Sequence, residues 1–168
     1  AVATASKGGR NPFAGRTGDF KRHYFLPSAG EIVAYHLYVP TAYDGSKSYP
    51  LILALHGLGG TEDSFFDSYD RTLPPLAEQH GYIVVAPAAP DGELFFEEGA
   101  RVIPGFLKLI LADYKIQDGK FHVAGPSNGG IAALRSAAHR LYDLYDRFSQ
   151  SLHRARLQHG RRQAQELI

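Results

Sequence analysis

Gly125-Pro126-Ser127-Asn128-Gly129 fits the pattern G-x-S-x-G, in which a serine hydroxyl can act as the nucleophile of an acyl transfer. The pattern is short, so its surroundings decide. A short apolar run, Lys120–Ala124, precedes it directly, and the small-residue run Ile131–Ala138 follows. Strand, sharp turn and helix is the order that lifts a serine out of a sheet. Flanking glycines let strand and helix close around a serine held in a strained turn. The helix beyond it offers N-terminal N–H groups to an oxyanion forming there. The plain alternative is a glycine-rich turn whose serine merely caps the helix. Pro126 is unusual just before such a serine, because it removes a backbone donor at the strand end.

A second glycine-rich stretch, His56-Gly57-Leu58-Gly59-Gly60, closes the apolar run Pro50–His56. Glycines where a loop leaves a sheet expose backbone N–H groups, the place of the other oxyanion donor. Alone it could be an ordinary strand-to-helix turn. The two stretches in this order reinforce each other.

Loops of this kind need a sheet behind them. Phe20–Leu26 and Ile32–Val39 alternate around Pro27-Ser28-Ala29-Gly30, which predicts an antiparallel hairpin. Tyr43–Tyr49 reads as polar loop. Pro50–His56 and Tyr82–Pro87 are continuous apolar runs, as strands covered on both faces require. Thr61–His80 reads as helical in its second half, ending before Gly81. Gly99–Tyr114 carries apolar residues at 102, 103, 106, 107, 110 and 111, a helical spacing despite Pro104. Two strands and then three strand–helix pairs predict an α/β fold, a mostly parallel sheet of about five strands with helices on both faces. That core takes residues 20–138. Residues 1–19 lack periodicity and read as a flexible arm. Apolar positions 141, 145, 148, 152 and 155 make 139–168 a basic amphipathic helical tail.

On these residues the core resembles the α/β-hydrolases, nearest their esterase and polyester-depolymerase-like branch. The likeness rests on Tyr38-Val39-Pro40, Tyr49-Pro50-Leu51, His56–Gly60, Tyr82–Pro87 and Ala124–Gly130. It implies Ser127 as the catalytic nucleophile. It also implies an oxyanion hole from the backbone N–H groups of Leu58 and Asn128, with Gly57 the alternative to Leu58. The implied activity is hydrolysis of a small or polymeric carboxylic ester through an acyl-enzyme at Ser127, with no cofactor.

In that family an acid and then a histidine follow the serine, each after a later strand. Here 41 residues follow Ser127, and 139–168 hold no strand-like run. The expectation is a fold short of its last three strands and of both remaining triad members. Lys120–Ala124 would then be a sheet edge, covered by the tail helix or paired with a second copy in a homo-oligomer. His139 and Asp143 would share a helix face. Along a continuous helix, though, His139 lies about 18 Å from Ser127, against the roughly 3 Å reach of a general base. His153 and His159 read as solvated positions on the tail. His36, His80 and His122 read as packing residues, and His56 as structural within its loop. Asp91, Glu93, Glu97 and Glu98 read as solvated loop or cleft lining, and Phe65, Phe66, Tyr69, Phe95 and Phe96 as apolar cleft or core. Two functions follow: a serine esterase, or a catalytically incomplete remnant acting as a binding or self-associating module.

Composition narrows the field. The 168 residues are 44% apolar with a net charge of +1, enough for one core and against an overall electrostatic nucleic-acid binder. No apolar run approaches the roughly 20 residues of a membrane span. The absence of Cys excludes thiol chemistry and Cys-ligated zinc, and no His/acid spacing suggests a metal. Residues 1–30 carry +4 and 139–168 carry +3, so the middle is −6. A basic tail of only +3 is weak for membrane-surface or nucleic-acid contact. Ala1-Val2-Ala3 is the small-residue sequence found around signal-peptidase sites, which fits a secreted chain as well as a trimmed start.

Overall fold

The computed structural model describes residues 15–26, 30–68, 71–89, 95 and 102–136. The chain divides into a unit through Ala133 and a second, Leu134–Ile168, of which only 134–136 are described. The expected tail helix thus lies outside the described residues, as does most of the expected arm.

Five strands form one sheet. They are β1 (Gly18–Leu26), β2 (Glu31–Val39), β3 (Tyr49–Ala54), β4 (Ile83–Pro87) and β5 (Ile116–Ala124), in the order β1-β2-β4-β3-β5. β1 pairs antiparallel with β2, β2 antiparallel with β4, and β3 parallel with both β4 and β5. Only β2 opposes the common direction. The helices are α1 (Ser64–Asp67), α2 (Leu73–His80), α3 (Val102–Asp113) and α4 (127–136).

The period-two alternation of strands sorts the side chains onto two faces. One register row, Phe20, Leu37, Val85, Leu53 and Val123, crosses all five strands. It lies under the core built with Ile103, Phe106 and Ile110 of α3 and Ala132 of α4. On the opposite face Ala54, Val84 and Ala86 pack with Phe66 of α1 and Ala77 of α2. Both faces of β4 are buried along its whole length, which is why its sequence is apolar without alternation. Among the described residues β5 ends the sheet, and all of its residues are exposed or half-buried.

Local chemistry sets the ends. Gly81 adopts φ 69, the left-handed conformation that closes α2, and the Tyr82 N–H returns to the Ala77 carbonyl at 2.9 Å. Pro104 sits in the first turn of α3, where its missing N–H has no helical acceptor to lose.

Several boundaries differ from the sequence reading, four of them with a clear local cause. β1 begins at Gly18, two residues inside the expected arm, because its ladder to β2 extends to the Gly18–Val39 pair. β3 ends at Ala54, which leaves Leu55 and His56 to the following loop. β5 starts at Ile116 rather than Lys120. Asp118 and Gly119, both at positive φ, form an irregularity where β5 slips against β3 between Tyr49 and Leu51. Helix α4 starts at 127 rather than 131, directly at the serine.

Candidate active site

The two glycine-rich stretches meet at the ends of β3 and β5. The Leu55 N–H donates to the Ala124 carbonyl at 2.8 Å, which carries the pairing one step past β3. Beyond that step the backbones touch. A Cβ on Gly125 would stand 2.4 Å from the Leu55 carbonyl oxygen, and one on Gly129 would stand 1.9 Å from the same atom. Neither position can hold a side chain. The glycines therefore let the start of α4 lie directly on the 55–56 backbone.

Ser127 stands in the turn between them with φ 47. A non-glycine residue in this region costs about 1–2 kcal/mol, which the enclosing contacts of Gly125 and Gly129 sustain. The side chain is exposed. Pro126 fits this turn because it contributes its carbonyl, which accepts the Gly130 N–H at 3.2 Å to open the helix.

Gly57 faces the serine, since a Cβ built on it would stand 3.8 Å from Ser127 Cβ. The Gly60 N–H donates to the Gly57 carbonyl at 3.0 Å. With Gly59 at φ 74, this is the pattern of a type II turn, whose third residue must be left-handed. Leu58 occupies its exposed second position.

His56 holds the near end of this loop. It is buried, with its ring edge against Phe95 at 4.7 Å. Nδ1 lies 2.8 Å from the Gly57 carbonyl, and Nε2 lies 3.3 Å from the Ala89 amide nitrogen. A carbonyl only accepts and a backbone N–H only donates, so Nδ1 carries the proton and Nε2 accepts. Both nitrogens are therefore engaged in holding the loop.

Between these pieces lies a cavity of about 400 Å³. Its walls are His56–Glu62, Ala88, Ala89 and Asn128. Gly57, Leu58 and Asn128 line it; Ser127, next to Asn128 on the chain, is not among the lining residues. Asn128 is buried, and its side-chain Oδ1 has no hydrogen-bond partner among the described residues. The sequence missed Thr61, Glu62, Ala88 and Ala89. The only signal for the two alanines was their place just after a buried strand.

His36 is a buried, hydrogen-bonded packing residue, as expected, but its partners are carboxylates. Its Nδ1 lies 2.8 Å from Asp63 Oδ1 and its Nε2 2.5 Å from Asp19 Oδ1, while Phe66 stacks on its ring. His122 on β5 and His80 at the end of α2 are both exposed, which corrects the packing role expected of them. Phe66 and Phe95 are core residues. His139, His153, His159, Asp143, Asp91, Glu93, Glu97, Glu98, Tyr69 and Phe96 lie outside the described residues. Among the described residues no group of three His or acids is gathered for a metal ion, and no helix is long and apolar enough to cross a membrane.

No family model matches the chain. The probable dipeptidyl-peptidase 5 of Aspergillus flavus is 40% identical over 79 residues, covering 46% of this chain and 10% of that protein. Feruloyl esterase B of Talaromyces funiculosus is 25% identical over 108 residues, covering 57% of this chain and 30% of its own. The chain thus spans a third or less of these curated relatives. Among solved structures, the feruloyl esterase module from Clostridium thermocellum superposes with a TM-score of 0.57 at 21% identity, covering 74% of this chain and 49% of that one. A thermostable esterase gives 0.55 at 22% identity, covering 68% and 36%. These superpositions give the fold: the chain has the fold of esterase-like α/β-hydrolases and spans part of it.

Proposed function

We propose that this chain carries the nucleophile and oxyanion side of a carboxylic-ester hydrolase, with Ser127 as the nucleophile. The single observation that carries the reading is the left-handed turn at Ser127, directly opposite Gly57. In this reading the turn is a nucleophile elbow. The Ser127 hydroxyl attacks the ester carbonyl, its proton passes to a general base, and the alcohol leaves from an acyl-enzyme that water then hydrolyses. The carbonyl oxygen, negative in the tetrahedral intermediate, receives hydrogen bonds from the backbone N–H groups of Asn128 and Leu58, with Gly57 the alternative to Leu58. One such donor is worth about 10²–10³ in rate. Leu58, Ala88 and Ala89 give the cavity apolar walls. The feruloyl esterases among the relatives support esters of an aromatic acid as the substrate class.

His36 and His56 are engaged elsewhere, so in this reading neither is the base. It comes from outside the described residues or from a partner chain. The runner-up, a non-catalytic self-associating module, is favoured by β5, which ends the sheet among the described residues.

Fluorophosphonate labelling of the intact chain tests the reading. Labelling that disappears in Ser127→Ala supports it. A folded chain that stays unlabelled overturns catalysis by the chain alone, and a concentration-dependent size by sedimentation would then favour the module.

A further inference from the structure

The Gly57–Gly60 loop is fastened at its near end by His56. At its far end it runs into Thr61–Asp67, and the fastening there is a cluster of charges against the β1–β2 hairpin. His36 on β2 is 7% exposed and stacks flat on Phe66, with ring centroids 3.7 Å apart and an interplanar angle of 5°. Nδ1 faces Asp63 Oδ1 and Nε2 faces Asp19 Oδ1. The other Asp63 oxygen pairs with Lys21 Nζ, which also reaches Glu62 Oε1 at 3.1 Å. The charged groups around the ring are thus Asp19 and Lys21 from β1, and Glu62 and Asp63 from the segment.

We propose that His36 is a positioning residue for the cavity, acting as an imidazolium clamp that holds Thr61–Asp67 against the hairpin. An ionised carboxylate has no hydrogen to give, so both ring nitrogens must donate when both neighbours are ionised. The ring in this arrangement carries a positive charge. A neutral ring donates from one nitrogen only and must release Asp19 or Asp63. The cation also suits its place on the face of Phe66.

Its hold reaches the cavity through a short chain of contacts. The Asp63 carbonyl accepts the N–H groups of Phe66 and Asp67 at 2.8 and 2.9 Å, which starts α1. The Thr61 N–H donates to Ser64 Oγ at 2.9 Å. Thr61 and Glu62 are cavity wall. Fixing Asp63 therefore fixes the wall where the glycine loop ends. The consequence for catalysis rests on the ester-site reading, but the clamp itself is tested without substrate or label.

The experiment uses the full chain and two measurements. Ring-nitrogen NMR of the wild type near neutral pH is expected to find both His36 nitrogens protonated, and a neutral single-tautomer ring overturns the proposal. Amide hydrogen exchange then compares wild type with His36→Gln. Amides of 57–67 are expected to exchange about tenfold faster while those of β3 and β4 stay within about threefold. No change at 57–67, or an equal rise throughout, means that His36 serves general stability only and overturns the positioning role. Should His36→Gln fail to fold, Asp19→Asn, which removes one of the two carboxylates on the ring, takes its place in the same exchange comparison with the same two outcomes.

Discussion

Gly57 and Ser127 face each other across the ends of β3 and β5, and a Cβ added to the glycine would lie 3.8 Å from the serine Cβ. That is ordinary van der Waals contact, so the fold can accept the methyl group, which in the proposed ester site would stand beside the serine. Gly57→Ala is expected to change stability by less than about 0.5 kcal/mol while slowing fluorophosphonate labelling about tenfold or more. Chemical denaturation and labelling kinetics on the same variant check it. Unchanged labelling would remove Gly57 from the site.

Gly129 has no such tolerance. Its added Cβ would fall 1.9 Å from the Leu55 carbonyl oxygen and 2.9 Å from that of His56, both backbone atoms that cannot step aside. Gly129→Ala is expected to cost about 3 kcal/mol or more. Gly105 in α3 is the control, because nothing lies within 4 Å of its Cβ position. Gly105→Ala is expected to gain about 0.5–1 kcal/mol. Denaturant midpoints that shift equally for the two variants would contradict the packing described here.

Asn128 separates side chain from backbone. Its buried Oδ1 lacks a partner among the described residues, and an unsatisfied buried acceptor costs about 1–3 kcal/mol. Asn128→Ala removes that penalty but also some packing, so stability is expected to hold or rise by about 1 kcal/mol. The backbone N–H remains, and labelling at Ser127 is expected to stay within about threefold. A large loss of labelling in a stable variant would assign the work to the amide side chain.

Acid should loosen the wall through Asp63. Burial pushes its carboxyl upward, but hydrogen bonds from Lys21 and His36 outweigh this and hold it below the usual carboxylate range. A depressed carboxyl stabilises the fold above its unfolded value and withdraws that support as pH falls through its folded value. Stability is expected to decline from about pH 4 downward. Asp63→Asn is expected to start lower at neutral pH and to fall less steeply. Parallel curves in pH-dependent denaturation would show that Asp63 is not the group responsible.

Much of this was legible in one dimension. The apolar runs at Pro50–His56 and Tyr82–Pro87 announced strands covered on both faces, and Gly81 announced the end of α2. The same rules misplaced β5. Asp118-Gly119 is a turn signal in sequence, yet here it is an irregularity within one strand, held open because Ile116 and Phe121 both pair with β3. The start of α4 was read late for a related reason. Glycine-rich sequence disfavours helix locally, and only the close contact of Gly125 and Gly129 with Leu55 makes glycine necessary there.

Periodicity and turn chemistry are local, so the order of strands and helices and the two glycine loops could be read from the chain before it folded. Folding alone decided which histidines were committed. His36 and His56 look alike in the chain, but one meets two carboxylates brought from 17 and 27 residues away, and the other meets a carbonyl and an amide nitrogen. A side chain's partners come from strands distant in sequence, so its protonation and its task are properties of the assembled sheet.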